Sequence, residues 1–229
     1  MKFDTYDLIA RVFPAVLSSV PFFILHYFLL QPAIGEFWGE ILAISIASNI
    51  TFSFILLFLL MHLNRIASKE IYEKYFFKDG LCFPTTNFLL HADSYFSHEY
   101  TMKIHKKIKS DFGISIPSGQ KERIDEDVVR QHIREAMSHI RAAVGKGKLV
   151  GSHNTEYGFI RNFAGGNVIA TLMSLINIII FTFFYPNPTA YTISLVIFLI
   201  YLTFSLFSKK LIDNIGKSYA KVLIQEYMA

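Results

Sequence analysis

The chain of 229 residues is 52% hydrophobic and 16% aromatic, with 17% charged residues, a formal net charge of +4 and a mean hydropathy of +0.38. This composition is too apolar for a soluble domain and is typical of a membrane protein. The single cysteine, Cys82, excludes a disulfide within one chain and a structural zinc site built from thiolates.

Four apolar stretches are long enough to cross a bilayer, because a helix of about 20 residues spans the hydrocarbon core. A cleaved signal peptide is the alternative for the first stretch. We reject it because the stretch is too long for a signal peptide core, Pro14 and Pro21 interrupt it, and no small-residue cleavage site follows. We predict an all-α integral membrane protein with four transmembrane helices in two hairpins. The four stretches are 12–30, 41–63, 168–185 and 191–207.

Basic residues are distributed unevenly along the chain. Residues 64–167 hold 16 of the 22 Lys and Arg residues, whereas the links inside the two hairpins, 31–40 and 186–190, hold none. Lys and Arg near the ends of spans are retained on the cytoplasmic side. We therefore predict a multi-pass protein of the cell inner membrane, with both termini and the central segment in the cytoplasm.

The apolar stretches divide the chain into four predicted regions. These are an N-terminal transmembrane hairpin (1–63), a cytosolic helical domain (64–167), a C-terminal transmembrane hairpin (168–208) and a cytosolic amphipathic tail (209–229) that lies on the insert or on lipid headgroups. Apolar residues recur at helical spacing twice in the insert, which predicts two amphipathic helices packed on each other. They are Phe96, Tyr100, Ile104, Ile108 and Phe112, then Ile124, Val128, Ile133, Met137, Ile140 and Val144.

A group of possible metal ligands lies within nine residues of the insert. Neutral imidazole and carboxylate suit zinc or a similar divalent ion, but strong zinc motifs place ligands at i and i+4 on one helix face, and this group lacks that spacing. Polar connector residues and a helix N-cap at Ser94 or Ser97 are the alternative interpretation, and we expect no cofactor. The four residues are His91, Asp93, His98 and Glu99.

Arg134 and His139, with four residues between them, resemble the signature of HEPN ribonucleases, which are also helical. The resemblance implies a catalytic pair. In a regular helix the two side chains would point about 140° apart, so they converge only where the helix ends or a second protomer contributes. A solvated helix face, with Arg134 paired to carboxylates, is the alternative.

The densest basic run belongs to the first amphipathic helix. Lysines on the polar face of a helix attract phosphates of lipid headgroups, nucleic acid or a nucleotide. Residues 64–167 carry 16 basic and 12 acidic residues, and this small excess argues against nucleic acid as the partner. We predict an anionic ligand or headgroup bound by Lys103, Lys106, Lys107 and Lys109, with Arg161 as a further basic contact.

Two further features involve the spans. Gly158, Gly165 and Gly166 precede the third span and predict either a hinge between insert and membrane helix or a plain interfacial connector. Small polar residues form a stripe on each of two spans, which predicts helix packing within a homo-oligomer, or a pore lined by these residues. The stripes are Ser45, Ser48 and Asn49, and Thr171, Ser174 and Asn177.

In architecture, the chain resembles small four-span effectors and membrane subunits of prokaryotic antiphage defence systems. The resemblance rests on the number of spans and on the placement and size of the insert. It implies membrane disruption or signalling, gated by a ligand or a soluble partner protein that the insert binds. The alternatives are a membrane-anchored enzyme, either a metal-dependent hydrolase or a HEPN-like ribonuclease, and a scaffold that recruits a soluble protein.

Overall fold

The structure, a computed structural model, describes residues 4–32 and 42–229, with side chains for 4–32 and 49–229. All regular elements in these residues are helical, and no strand occurs among them. Four helices are long and apolar enough to cross a membrane, in Thr5–Leu30, Asn49–Phe76, Lys148–Phe184 and Pro188–Met228. These findings confirm the predicted all-α class and the four spans by length and composition.

The long helices extend beyond the apolar stretches that predicted them. Helix α1 is Thr5–Leu30, with π-helical turns at Leu8–Val12 and His26–Leu30. Helix α2 starts with Leu42–Ala67 and continues through a π-helical segment, Ser68–Glu73, and a last turn, Lys74–Phe76. Left-handed conformations at Lys78, Asp79 and Gly80 follow it. Helices α7 and α8, described below, are longer still.

Four shorter helices lie between α2 and α7, and their ends follow ordinary capping chemistry. Helix α4 starts after Ser97, whose side chain accepts a hydrogen bond from the Tyr100 amide, and it ends at Gly113 in a left-handed conformation. Helix α6 starts after Asp125, which caps Val128 N, and ends before Gly145. The predicted pair of amphipathic helices is therefore confirmed. The bounds are Pro84–Asn87 (α3), His98–Phe112 (α4), Gly119–Ile124 (α5) and Glu126–Val144 (α6).

Helices α7 and α8 differ from the prediction. Helix α7 is Lys148–Phe184, so Gly158, Gly165 and Gly166, predicted to form a hinge or a plain connector before the third span, lie inside a helix, and the connector prediction was wrong in conformation. Helix α8 is Pro188–Met228, so the tail is a continuation of the fourth span. The glycines before the third span do not prevent helix α7 from forming. Each glycine weakens a helix by only about 1 kcal/mol, and contacts with neighbouring residues can offset this cost.

The chain forms two compact units. The bundle unit consists of Met1–Glu70 and Gly158–Lys209, and the insert unit consists of Ile71–Tyr157 and Lys210–Ala229. The tail thus belongs to the same unit as the insert, and its residues Leu223 and Ile224 are fully buried in the insert core. Of the two interpretations of the tail, the structure supports packing on the insert.

The core of the insert unit contains most of the predicted apolar positions. Ile104, Ile108, Ile133, Met137 and Ile140 are buried together. Two predicted positions fall outside this face: Ile124 is 81% exposed at the end of α5, and Val129 is buried where Val128 was predicted. The helix that carries Ile133 begins only after its N-cap, Asp125. Residues before Asp125 therefore do not continue the apolar face of this helix.

Buried amide and hydroxyl groups connect the helices of the bundle unit. Asn162 Nδ2 donates to the Ala10 carbonyl at 2.6 Å, and Asn177 Nδ2 donates to the Pro21 carbonyl at 2.7 Å. Tyr201 donates its hydroxyl proton to the Leu17 carbonyl. Backbone carbonyls of α1 therefore accept hydrogen bonds from side chains of both α7 and α8.

Candidate functional site

A surface cavity of about 540 Å³ lies on the exposed side of α4 in the insert unit. Three lysines of α4 line it, together with the segment that follows the helix. The spacing of three residues between successive lysines keeps them on neighbouring parts of one helix face. The lining residues are Glu99, Met102, Lys103, His105, Lys106, Lys109, Ser115 and Ile116.

A second cavity, of about 660 Å³, adjoins the first and shares Met102, His105 and Ile116 with it. Its polar lining comes from three imidazoles and from α5, which contributes Glu122 and Arg123. We call the two cavities together the His–Lys cleft. It is built by α4, α5, the segment before α4 and the segment between them.

Two of the three imidazoles of the His–Lys cleft are held by backbone carbonyls. His91 Nε2 lies 2.9 Å from the Pro117 carbonyl oxygen, and His105 Nε2 lies 2.8 Å from that of Leu89. A carbonyl can only accept, so Nε2 is the protonated nitrogen in both rings. Burial lowers the pKa of His105, with the bond to Leu89 acting in the opposite direction, so this ring is neutral near pH 7.

Positive charge dominates the lysine side of the cleft. Lys103 forms an ion pair of 2.8 Å with Glu99, while Lys106 and Lys109 are exposed. The second carboxylate that lines the cleft belongs to Glu122, which is 6% exposed. It accepts hydrogen bonds from the backbone amides of His91 and Ala92, both at 2.8 Å. These bonds occupy both of its oxygens, so Glu122 anchors the segment before α4.

Two residues predicted to bind the same ligand are not among the residues that line the cleft. The Lys107 ammonium stands 5.0 Å from the centre of the Tyr227 ring, on the side of α4 that meets the tail. Arg161 belongs to the bundle unit, whereas the lysines belong to the insert unit. Of the five predicted ligand residues, Lys103, Lys106 and Lys109 line the cavity, and the role of Arg161 stays a prediction.

The predicted metal ligands do not assemble into a metal site. The Asp93 carboxylate accepts a hydrogen bond from the Tyr95 amide, and Glu99 pairs with Lys103. His91 and His98 have ring centres 6.4 Å apart. Within 4–32 and 49–229, no group of three or more His, Cys, Asp or Glu side chains is arranged to hold a metal ion.

Arg134 and His139 do not converge within one chain. Helix α6 continues without a break past both residues to Val144, and both are exposed. Arg134 donates a long hydrogen bond, 3.5 Å, to the Asp79 carbonyl, and His139 stacks on Phe112 with ring centres 5.3 Å apart. The helix therefore does not end between them, which was the condition for a catalytic pair inside one protomer.

The stripe residues of the spans have mixed positions. Ser174 and Asn177 are completely buried inside the bundle unit, so they have no surface to offer to a pore or a second protomer, and we replace that role by packing between helices. Asn49 and Thr171 are half-buried, and their predicted role stays a prediction. The side chains of Ser45 and Ser48 lie outside the described part of the chain.

Several cleft residues were not predicted as site residues from the sequence, among them Ile116, Glu122 and Arg123. Glu122 carried one usable signal, since it sits in the first turn of a helix that follows Ser118, the N-cap. Its contact with His91 crosses 31 residues of sequence, which no helical period reveals.

The geometry of the His–Lys cleft is the main guide to function. Comparisons of this chain with protein-family models, with curated proteins and with solved structures gave no match.

Proposed function

We propose that this protein is a sensor or effector subunit of a bacterial inner membrane, whose insert unit binds an anionic ligand in the His–Lys cleft. The ligand carries phosphate or carboxylate groups. Binding alters the membrane helices that continue from the insert unit as α2, α7 and α8, with perturbation of the membrane or signalling as the output.

The observation that carries this proposal is the lysine-lined cavity. Three lysines of α4 line one cavity, and among the lining residues only Lys103 forms an ion pair with a carboxylate. Like charges close together repel, and an anion between them relieves that repulsion while accepting charge-assisted hydrogen bonds. Arg123 lines the adjoining cavity and adds a further positive charge.

The setting of this function is also proposed. The uneven distribution of Lys and Arg supports an orientation with both termini and the insert in the cytoplasm. Antiphage defence belongs to the proposal through the architectural resemblance, and a homo-oligomeric assembly belongs to it through the polar stripes on two spans. Intracellular phosphorylated metabolites would then reach the cleft directly.

Titration of the full-length protein in detergent tests the ligand class. Inorganic pyrophosphate and citrate are the probes, and binding is followed by calorimetry. We expect Lys106→Glu with Lys109→Glu to raise Kd roughly tenfold or more, equal to about 1.4 kcal/mol, because two cationic contacts become repulsive. The matched control, Lys146→Glu with Lys148→Glu, makes the same charge change at exposed lysines outside the lining and leaves Kd unchanged.

A second arm separates free anions from lipid headgroups, which present the same chemistry. The protein is reconstituted into phosphatidylcholine vesicles with and without phosphatidylserine, and pyrophosphate binding is measured in both. Competition by the anionic lipid at the wild-type cleft, absent in the charge-reversal variant, would identify headgroups as the occupant. Equal pyrophosphate binding by the cleft variant and its control would disprove the proposed function.

A further inference from the structure

The His–Lys cleft extends well beyond its three lysines. Its two cavities, of about 540 and 660 Å³, share the side chains of Met102, His105 and Ile116. Pockets of about 300–1,000 Å³ are the size that takes a drug-sized molecule, so each cavity is much larger than one phosphate or carboxylate group. A ligand whose anionic group lies among the lysines therefore has room to continue past the shared residues into the second cavity.

Two imidazoles in the second cavity offer hydrogen-bond acceptors to a ligand. His91 and His105 each donate from Nε2 to a backbone carbonyl, and a neutral imidazole that donates through one nitrogen accepts through the other. Within 4–32 and 49–229, neither Nδ1 atom has a hydrogen-bond partner, and neither is fully buried. The two ring centres lie 4.9 Å apart, so both acceptors are close enough to serve one ligand.

The remaining lining of the second cavity indicates which chemical group fits there. Arg123 is exposed and supplies only donors, whereas both oxygens of Glu122 are already occupied by backbone amides. Hydroxyl groups both donate and accept, so they match donors and acceptors that stand side by side, while a second phosphate or carboxylate would have no proton to give to the imidazoles. Met102 and Ile116 add apolar surface for the carbon atoms that carry the hydroxyl groups.

We infer that the ligand of the His–Lys cleft is a phosphate monoester of a hydroxylated ring. Sugar phosphates and the ribose phosphate of nucleotides share this chemistry. The inference rests on the proposed function, because the phosphate takes the place of the anion among the lysines of α4. The hydroxyl groups donate to the Nδ1 atoms of His91 and His105 and accept from Arg123, and the ring packs on Met102 and Ile116.

Calorimetric titration of the full-length protein in detergent with three phosphate monoesters tests this inference. Ribose 5-phosphate carries hydroxyl groups on its ring, cyclohexyl phosphate has a ring without them, and AMP adds a base to the ribose. Ribose 5-phosphate should bind roughly tenfold more tightly than cyclohexyl phosphate, because its hydroxyl groups pair with the imidazoles. Still tighter binding of AMP would identify nucleotides as the source of this chemistry, and AMP affinity no higher than that of ribose 5-phosphate would identify sugar phosphates.

One substitution removes an acceptor and leaves the lysines in place. His91→Phe should weaken the binding of ribose 5-phosphate about fivefold, as expected for the loss of one hydrogen bond. The Kd for pyrophosphate, which needs only the lysines, should stay unchanged and shows that the cleft is folded. His132→Phe is the matched control, because its ring is also half-buried and its Nδ1 also lies 2.9 Å from a backbone carbonyl oxygen, that of Val128, but it does not line the cleft. It should leave both Kd values unchanged.

Two results for the wild-type protein separate this inference from the proposed function. Equal affinity for ribose 5-phosphate and cyclohexyl phosphate, together with binding of pyrophosphate, would overturn the inference alone. Failure to bind pyrophosphate or any of the three monoesters would overturn the inference and the proposed function together.

Discussion

Tyr201 of α8 donates its hydroxyl proton to the Leu17 carbonyl of α1, four residues before Pro21. In a regular helix that carbonyl accepts the amide proton of residue 21, which proline lacks. Pro14 and Ala10 have the same relationship, and there the donor is Asn162 of α7. Each proline inside the first span is thus matched by a polar side chain from another helix, because an unpaired carbonyl is costly in lipid.

A double-mutant cycle tests this relationship at Pro21. Tyr201→Phe should lower the free energy of unfolding by about 1 kcal/mol, the usual worth of a hydrogen bond between membrane helices. In a Pro21→Ala background the cost should shrink, because the new amide can donate to Leu17. Tyr191→Phe, at an exposed ring of the same helix, is the control and should cost little. An equal cost of Tyr201→Phe in both backgrounds would show that the hydroxyl does not replace the missing amide.

The glycines of α7 are predicted to act through packing. A Cβ at Gly165 would overlap backbone atoms of Asn64 and Ser68, which cannot rotate away. Gly165→Ala should therefore destabilise the bundle unit by about 3 kcal/mol. Gly151→Ala in the same helix meets nothing within 4 Å and should gain up to about 1 kcal/mol from helix propensity. Unfolding in detergent measures both, and a hinge without a packing role would instead show wild-type stability in Gly165→Ala.

The sequence predicted the features that depend on neighbours along the chain. Apolar periodicity and capping residues such as Ser97 and Asp125 gave the two amphipathic helices, and hydropathy gave the four spans. It did not predict that Gly165 and Gly166 lie inside a helix, because glycines mark turns more often than close helix contacts. Partners such as Leu17 and Tyr201 lie 184 residues apart, and only the fold brings them together.

In the candidate site, too, the sequence predicted only the features that depend on neighbours along the chain. The lysine run was visible because its members share one helix. The imidazoles were visible as a group, but their role was not, because it depends on carbonyls such as those of Pro117 and Leu89. Lys107 was assigned to the ligand because it is adjacent in sequence, whereas in the fold it packs on Tyr227.

His105 should make the stability of the insert unit depend on pH. Burial lowers its pKa from the ordinary value of 6.5, so the unfolded chain binds a proton at a pH where the folded unit does not. Stability therefore falls as pH decreases through about 6.5 and levels off below the folded-state pKa. His105→Gln keeps a donor for the Leu89 carbonyl and removes the titration, so its unfolding free energy should vary less between pH 7.5 and 5 by this argument. His132→Gln, at a half-buried ring of α6, is the comparison, and an equal pH slope in wild type and His105→Gln would contradict the assignment.

Membrane topology is the remaining prediction. In a Cys82→Ser background, single cysteines are placed at Glu36 and Asn187, in the two links that lack basic residues, and at Ser118 in the insert. An impermeant thiol reagent added to intact cells should label positions 36 and 187, because Lys and Arg keep the insert and the termini on the cytoplasmic side. Position 118 should react only after the cells are permeabilised, which shows that it is accessible. Labelling at position 118 in intact cells would show that the insert faces outward. The predicted topology would then be wrong, and cytoplasmic anions could not reach the cleft.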